Sequence, residues 1–147
     1  FQEQLEVVAE LGAPLIIHTR EAEEDTLALL KGSSVPRTHR IHVHSFSSKQ
    51  WLAEALMDEY SSLYIGMTGI VTFKNAPAVR ATARAVPLSR LLLETDGPYL
   101  APTPHRGAVA HPGFIPRIAE QIAQVKEVSV EEVYTAAREN TRNMYGI

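Results

Sequence analysis

The hydrophobic residues of this chain alternate between helical spacing and short unbroken runs. Apolar residues three or four positions apart predict helices over residues 1–11, 21–31, 49–60, a segment ending near 86, 112–125 and 130–143. Between them lie apolar runs too short for helices, at residues 14–18, 40–45, 63–66 and 91–95. The run at 14–18 has no polar alternation, which is typical of a strand covered on both faces.

Capping residues mark several of these boundaries. Gly12 follows the first predicted helix, where a left-handed C-terminal cap is expected. Ser47 or Ser48 can cap the helix over 49–60, because a serine oxygen accepts from the free N–H groups of the first turn. Ser129, with Glu132 three positions later, predicts a capping box at the start of the last helix.

Strands that alternate with helices predict a parallel sheet, because a parallel partner requires a long crossover connection. No glycine-rich fingerprint follows any of the strands, which disfavours a dinucleotide-binding fold. Ionisable residues gather instead at the C-terminal ends of the strands, as they do on the active face of a (β/α)₈ barrel. In the alternative, a doubly wound sheet, such residues would spread along an edge or meet at one switch point.

Three predicted strands end in ionisable pairs: His18 and Arg20, His42 and His44, and Glu94 and Asp96. Taken singly, a histidine here is more often hydrogen-bonded than metal-bound, and an aspartate before Gly-Pro is often a turn former. Side chains repeat every second residue on a strand, so His42 and His44 share a face, and the one nearer the C-terminal end would reach a site there. As a set, histidines and an aspartate supply the nitrogen and oxygen ligands of a hydrolytic divalent-metal site.

Composition narrows the setting. The chain has 147 residues, of which 45% are hydrophobic, and this is enough for one packed domain. Its net charge of −3 gives no global basic field, so any binding of phosphate must be local. The absence of cysteine excludes disulfides, thiolate ligands and a cysteine nucleophile. With no membrane-spanning run or apolar leader either, we expect an intracellular protein, cytoplasmic or nuclear, that does not bind membranes.

Collinear motifs carry a resemblance to a known family. They are PLIIHTREA at 14–22, VHSFS at 43–47, YIGMTGIVTFK at 64–74, LLETDGPYL at 92–100, PTPHRG at 102–107 and ENTRN at 139–143. Together they resemble the C-terminal part of the TatD family of metal-dependent deoxyribonucleases, amidohydrolase-like hydrolases built on TIM barrels. The resemblance runs in order across nearly the whole chain, although each motif alone would be weak.

The resemblance implies roles for particular residues. The metal ligands would be His18, His44 and Asp96, and Asp96 would also orient or deprotonate the attacking water. Glu94 would lie behind them and hold a ligand or a water.

The resemblance also implies contacts to the substrate. Arginine side chains bind phosphate oxygens with two parallel hydrogen bonds, and this role would fall to Arg20 and Arg106. Possible contacts to nucleic acid are Lys74, Tyr99 and His105, although Lys74 is equally well explained as a solvated loop lysine. The cofactor would be a divalent ion, Mg, Mn or Zn.

The fold implied is α/β: the C-terminal half of a TIM (β/α)₈ barrel, with about four parallel strands and flanking helices. Residues 1–147 would then form a single partial domain, because the His-x-His strand and the bridging glutamate of the family have no counterpart among them. A complete barrel needs roughly 200 residues or more. We therefore expect a fragment or an isoform, a reading that the initial Phe1 favours, and expect the N-terminal barrel half to be required for full activity.

The function implied is hydrolysis of phosphodiester bonds in nucleic acid, as a DNA exonuclease. Two alternatives stay open. One is a related metallohydrolase that acts on another ester or amide, because fold does not fix substrate. The other is a non-catalytic half barrel that serves as a binding or oligomerising module.

Overall fold

The computed structural model describes residues 1–147 and contains alternating helices and strands. The helices are α1 (Gln2–Leu11), α2 (Glu23–Lys31), α3 (Gln50–Glu59), α4 (Pro77–Ala85), α5 (Ile115–Lys126) and α6 (Val130–Tyr145). The strands are β1 (Leu15–Ile17), β2 (Ile41–Val43), β3 (Leu63–Met67) and β4 (Leu91–Leu93). Short 3₁₀ turns lie at 69–72, 88–90 and 112–114. No helix is both long and apolar enough to span a membrane.

The strands form one parallel sheet in the order β1-β2-β3-β4. This confirms the predicted α/β class with four parallel strands and flanking helices. That the sheet is half of a TIM barrel stays a prediction. Because the strands are parallel and each crossover returns the chain to the same end, all four C-terminal ends lie along one edge.

The two faces of the sheet have different surroundings. One face belongs to the main hydrophobic core, to which each strand contributes alternate residues, among them Ile17, Val43, Ile65 and Leu91. The opposite face, called the inner face here, carries Ile16, His42 and Tyr64 in register across β1, β2 and β3. Near α6 this face is covered by a small cluster of Tyr64, Leu92 and Met144, against which Tyr145 packs.

Most predicted elements are confirmed, with differences at their ends. The helix predicted from residue 21 begins at Glu23, and the last helix extends to Tyr145. The serine cap predicted for α3 is wrong: Lys49 is the N-cap residue and makes no side-chain bond. Ser48 lies at the sheet instead, with its hydroxyl 3.5 Å from the carbonyl oxygen of Thr19. The Ser48 hydroxyl therefore contacts a residue 29 positions away instead of capping α3.

Helix α6 is fixed at both ends and in its middle. Ser129 and Glu132 form the predicted capping box, and Gly146 ends the helix with a left-handed conformation at φ 73°. The Asn140 side chain is buried and donates to the carbonyl oxygens of Leu88 and Leu91, at 2.9 and 2.7 Å. These two bonds tie α6 to the start of β4, the strand that leads into the acidic pair.

Replacement of Asn140 by alanine should lower the free energy of unfolding by roughly 2 kcal/mol, because one buried and one part-buried carbonyl group each lose a donor. Asn143→Ala, at an exposed position on the same helix, is the matched control and should change stability by less than about 0.5 kcal/mol. Urea unfolding followed by circular dichroism measures both. Equal effects of the two substitutions would show that Asn140 does not anchor α6.

Candidate metal centre

The predicted ligands meet at the C-terminal edge of the sheet. His18 lies just beyond β1, His44 just beyond β2 and Asp96 just beyond β4. The ring centroids of His18 and His44 are 5.9 Å apart, and Nε2 of His44 lies 3.6 Å from Oδ1 of Asp96. Residues from three strands, separated by up to 78 positions in the chain, thus come together as the sequence predicted.

Glu94 lies behind this group and is held by several hydrogen-bond donors. Its Oε2 is 2.6 Å from Nδ1 of His44, and its Oε1 accepts from the backbone N–H of Ser45 at 2.5 Å. Nε2 of His42 lies 3.2 Å from the same Oε2. Burial alone would raise the pKa of the Glu94 carboxyl, but the contacts with His42, Ser45 and His44 lower it below its ordinary value. Glu94 is therefore a buried carboxylate that stays ionised.

Gly66 leaves space for this cluster because it has no side chain. A Cβ atom at Gly66 would overlap Oε1 and Cδ of Glu94 and Nε2 of His42. The backbone also contributes here: the N–H of Glu94 donates to the carbonyl oxygen of Met67, and that of His44 to Ile17, at 3.2 and 2.8 Å. The backbone hydrogen bonds of the sheet thus continue one residue past β2 and β4, and they fix the backbone positions of His44 and Glu94.

Two overlapping groups of side chains could hold a cation. His42, His44 and Glu94 each offer a ligand atom, and these atoms all lie within 4.8 Å of one another. The second group, His18, His44 and Asp96, lies at the more open side, where the Asp96 side chain is 35% exposed and that of Glu94 only 14%. Both groups offer imidazole nitrogen and carboxylate oxygen, which suit zinc and manganese. The donor set therefore fits a divalent metal ion.

A cleft of about 670 Å³ opens beside His18 and Asp96 of the second group. Its lining includes His18, Arg20 and Asp96, together with Phe73 and Tyr99. The Tyr99 side chain is 70% exposed. The cleft thus combines possible metal ligands, one free cationic side chain and two aromatic rings.

The other predicted substrate contacts lie around this cleft or beside it. The guanidinium of Arg106 lies over the Phe73 ring, 3.6 Å from its centroid. Lys74 is exposed directly after Phe73. The His105 ring is stacked on Phe114, with centroids 4.8 Å apart and an interplanar angle of 22°. The roles of Arg106, Lys74 and His105 in substrate binding stay predictions.

Sequence reasoning missed one member of this centre. The Tyr145 hydroxyl lies 2.7 Å from Nδ1 of His42, although the two residues are 103 positions apart. Nothing in the spacing of the chain distinguishes Tyr145 from an ordinary aromatic residue at the end of an amphipathic helix. His42 was noticed as the inward neighbour of His44, but its partners were not predicted.

A parallel α/β sheet with imidazole and carboxylate groups at its C-terminal edge defines a class of metal-dependent hydrolases. The family model of TatD-related DNases matches residues 1–146, and the chain belongs to this family. The resemblance drawn from the motifs is therefore confirmed.

Named relatives agree with this assignment. An uncharacterized metal-dependent hydrolase of Escherichia coli K12, YcfH, is 42% identical over 147 residues, which is the whole of this chain and 54% of that protein. The human 3'-5' RNA nuclease TATDN2 is 35% identical over 150 residues, all of this chain and 20% of that protein. The crystal structure of the E. coli TatD homologue YjjV superposes with a TM-score of 0.88 at 28% identity, covering 99% of this chain and 54% of the other. The chain spans about half the length of the YcfH protein it matches.

Gly66→Ala should disturb the metal centre from behind, because its Cβ would displace Glu94 and His42. We expect a stability loss of about 1–3 kcal/mol from overpacking and a loss in Zn²⁺ affinity of about tenfold or more. Denaturant unfolding and equilibrium dialysis measure the two effects.

Gly32→Ala provides the control for this substitution. Gly32 has an ordinary right-handed helical conformation, and a Cβ there would meet a single backbone oxygen at 3.3 Å. It should leave Zn²⁺ affinity unchanged. If Gly66→Ala behaved in the same way, Glu94 and His42 would not be set by the space at this position.

Proposed function

We propose that this chain is part of a metal-dependent phosphodiester hydrolase that acts on nucleic acid, with DNA exonuclease activity as its specific form. The carrying observation is the approach of Nε2 of His44 to Asp96 at the mouth of a cleft that also contains Arg20. His44 is oriented for this by Glu94, which occupies its other ring nitrogen. The name of the human relative as a nuclease supports the same class of substrate.

Each side chain has a distinct part in the proposed reaction. A divalent cation bound here would lower the pKa of an attached water and polarise a phosphoryl oxygen. His18 and His44 would hold it as neutral imidazoles, and Asp96 would accept a proton from the attacking water or orient it. Glu94 would keep Nδ1 of His44 protonated, so that Nε2 carries the lone pair on the side of Asp96.

The rest of the cleft supports the proposed substrate class. Arg20 is exposed within it and can donate two parallel hydrogen bonds to a phosphate. Phe73 and the exposed Tyr99 offer faces on which a nucleobase could stack. The Arg106 guanidinium lies over the Phe73 ring and is the second candidate for a phosphate contact.

Asp96→Asn should reduce turnover of nucleic acid by at least about a thousandfold, because the metal site supplies several kcal/mol of transition-state stabilisation. The assay uses 5'- and 3'-labelled single-stranded oligonucleotides of DNA and RNA with Mg²⁺, Mn²⁺ or Zn²⁺. Asp58→Asn, at an exposed position on α3, is the matched control. Full activity of Asp96→Asn, with the fold retained, would remove Asp96 from the mechanism.

Arg106→Ala should lower kcat/KM for oligonucleotides about 10- to 100-fold, as expected for the loss of one charged hydrogen bond. Its metal content should be unchanged, since Arg106 contacts Phe73 and none of the proposed ligands. Arg106→Lys keeps the charge and loses the planar fork, so it should rescue only part of the loss. Arg138→Ala, at an exposed position on α6, is the control. Unchanged kinetics for Arg106→Ala would reject the phosphate role.

A binding or oligomerising half domain is the second candidate, and the sheet edges favour it. β1 and β4 each pair with one neighbour, and Ile16 on the inner face of β1 is 56% exposed. Added strands at these edges, together with further ligands, would complete a barrel and its site, and we infer that such a half is needed for full activity. A monomeric mass in light scattering together with metal-dependent turnover would favour the enzyme. The mass of a dimer or larger oligomer, without turnover, would favour the binding or oligomerising half domain.

The oligonucleotide assay also separates the enzyme classes. Release of single nucleotides from one end of DNA would support the exonuclease. Cleavage confined to RNA would keep the nuclease class and change its substrate. Hydrolysis of a simple ester or amide with no action on either polymer would favour a related metallohydrolase.

A further inference from the structure

A line of polar contacts joins the end of α6 to the proposed ligand His44. The Tyr145 hydroxyl lies 2.7 Å from Nδ1 of His42, and Nε2 of His42 lies 3.2 Å from Oε2 of Glu94. The same oxygen is 2.6 Å from Nδ1 of His44. Four side chains, from α6, β2, the residue after β4 and the residue after β2, thus form one connected series.

The ionised carboxylate sets the direction of the hydrogen bonds. Glu94 can only accept, so Nδ1 of His44 must be the protonated nitrogen, and its Nε2 keeps a free lone pair. Oε2 of Glu94, an acceptor, faces Nε2 of His42, so the proton of that ring belongs on Nε2, and Nδ1 then accepts from the Tyr145 hydroxyl. In this arrangement each imidazole has a ring N–H on the side of Glu94.

Without the Glu94 charge beside it, a histidine at position 42 would destabilise the fold. Its side chain is only 6% exposed, and although Nε2 is near Glu94, its N–H is not aligned well enough for a good hydrogen bond. A buried polar atom that is incompletely bonded costs about 1–3 kcal/mol, and an aliphatic residue on this strand would avoid that cost. The dipole of the ring is favourable here because it lies against the buried Glu94 charge.

Tyr145 has two distinct contacts. Its ring packs against the cluster of Tyr64, Leu92 and Met144, while its hydroxyl reaches His42 with the two rings nearly perpendicular at 88°. Burial and the nearby charge of Glu94 both raise the pKa of the Tyr145 hydroxyl above its ordinary value. The hydroxyl therefore remains a donor.

We propose that His42 and Tyr145 are positioning residues for His44: Tyr145 fixes the His42 ring, His42 supports the Glu94 carboxylate, and Glu94 fixes the ring of His44. This rests on the proposed function, since it assumes that His44 is a metal ligand. Neither residue touches the substrate or binds the cation. Their effect is to keep Nε2 of His44 on the side of Asp96, and to make the orientation of this ring depend on α6.

Ring-nitrogen chemical shifts in the metal-free chain, recorded at one pH by ¹⁵N NMR, test the series directly. In the unmodified chain His44 should be a single tautomer protonated on Nδ1, and His42 a single tautomer protonated on Nε2. Tyr145→Phe should change the His42 nitrogen shifts, and His42→Leu should give a mixture of His44 tautomers. Tyr134→Phe, the matched tyrosine on α6 with no hydrogen bond to the centre, should change neither.

Zn²⁺ affinity, measured by equilibrium dialysis, is the second readout. Removing a residue that orients a ligand costs about 10- to 100-fold in metal affinity, so we expect about tenfold for His42→Leu and a smaller loss for Tyr145→Phe. The double variant should be no weaker than His42→Leu, because both substitutions interrupt the same series. The number of Zn²⁺ ions bound at saturation should not change. His42→Gln, whose amide can accept from Tyr145 and donate to Glu94, should restore part of the affinity.

Two results would overturn the proposal. One is an unchanged pair of ring spectra in Tyr145→Phe, which retains nearly all of the packing of the tyrosine ring and should fold. The other is the loss of one bound Zn²⁺ in His42→Leu, because His42 would then be a ligand itself. If the unmodified chain bound no Zn²⁺, the proposed function would fail, while the tautomers in the metal-free chain would still decide whether the series exists.

Discussion

The ionised carboxylate of Glu94, buried beneath the C-terminal edge of the sheet, organises the candidate centre. An isolated buried carboxylate would be too costly to keep charged, so its surroundings must replace water. Ser45 supplies a backbone donor, His44 a ring donor and His42 a dipole. Each of these donors is thereby fixed in orientation. The same hydrogen bond between Glu94 and His44 has two effects: it stabilises the buried charge, and it favours the tautomer of His44 that has its proton on Nδ1.

The sheet explains why these groups can meet with little local adjustment. His44 and Glu94 lie one residue beyond their strands, and their backbone N–H groups still bond to the neighbouring strand. Their side chains therefore take the direction that the strand alternation gives them, onto the inner face. Gly66 on the strand between them provides the necessary space. Ser45, at φ 49°, lies in the left-handed region, and such local strain is typically retained where the surrounding structure requires it.

The sequence predicted the parts of this arrangement that depend on period and local pattern. Helical and extended spacing located all four strands, alternation placed His42 and His44 on one face, and the family resemblance placed Glu94 behind the ligands. The capping box at Ser129 was predicted because it is entirely local. Ser48 was assigned wrongly because its partner, Thr19, lies 29 positions away. Tyr145 was missed for the same reason: its hydroxyl acts on His42 across 103 positions, and no spacing rule spans that distance.

The two acids differ in how far water reaches them, and the roles proposed for them rest on this difference. Glu94 is 14% exposed, accepts from His44 and from the N–H of Ser45 and faces the His42 ring, so a new partner would have to displace one of these contacts. Asp96 is 35% exposed, lines the cleft and lies 3.6 Å from the free nitrogen of His44. Only the second carboxylate can exchange partners during a reaction without leaving a buried donor unsatisfied. Two acids separated by a single residue thus have different surroundings, because one faces the packed interior of the sheet and the other faces the cleft, and this difference supports the distinct roles proposed for them.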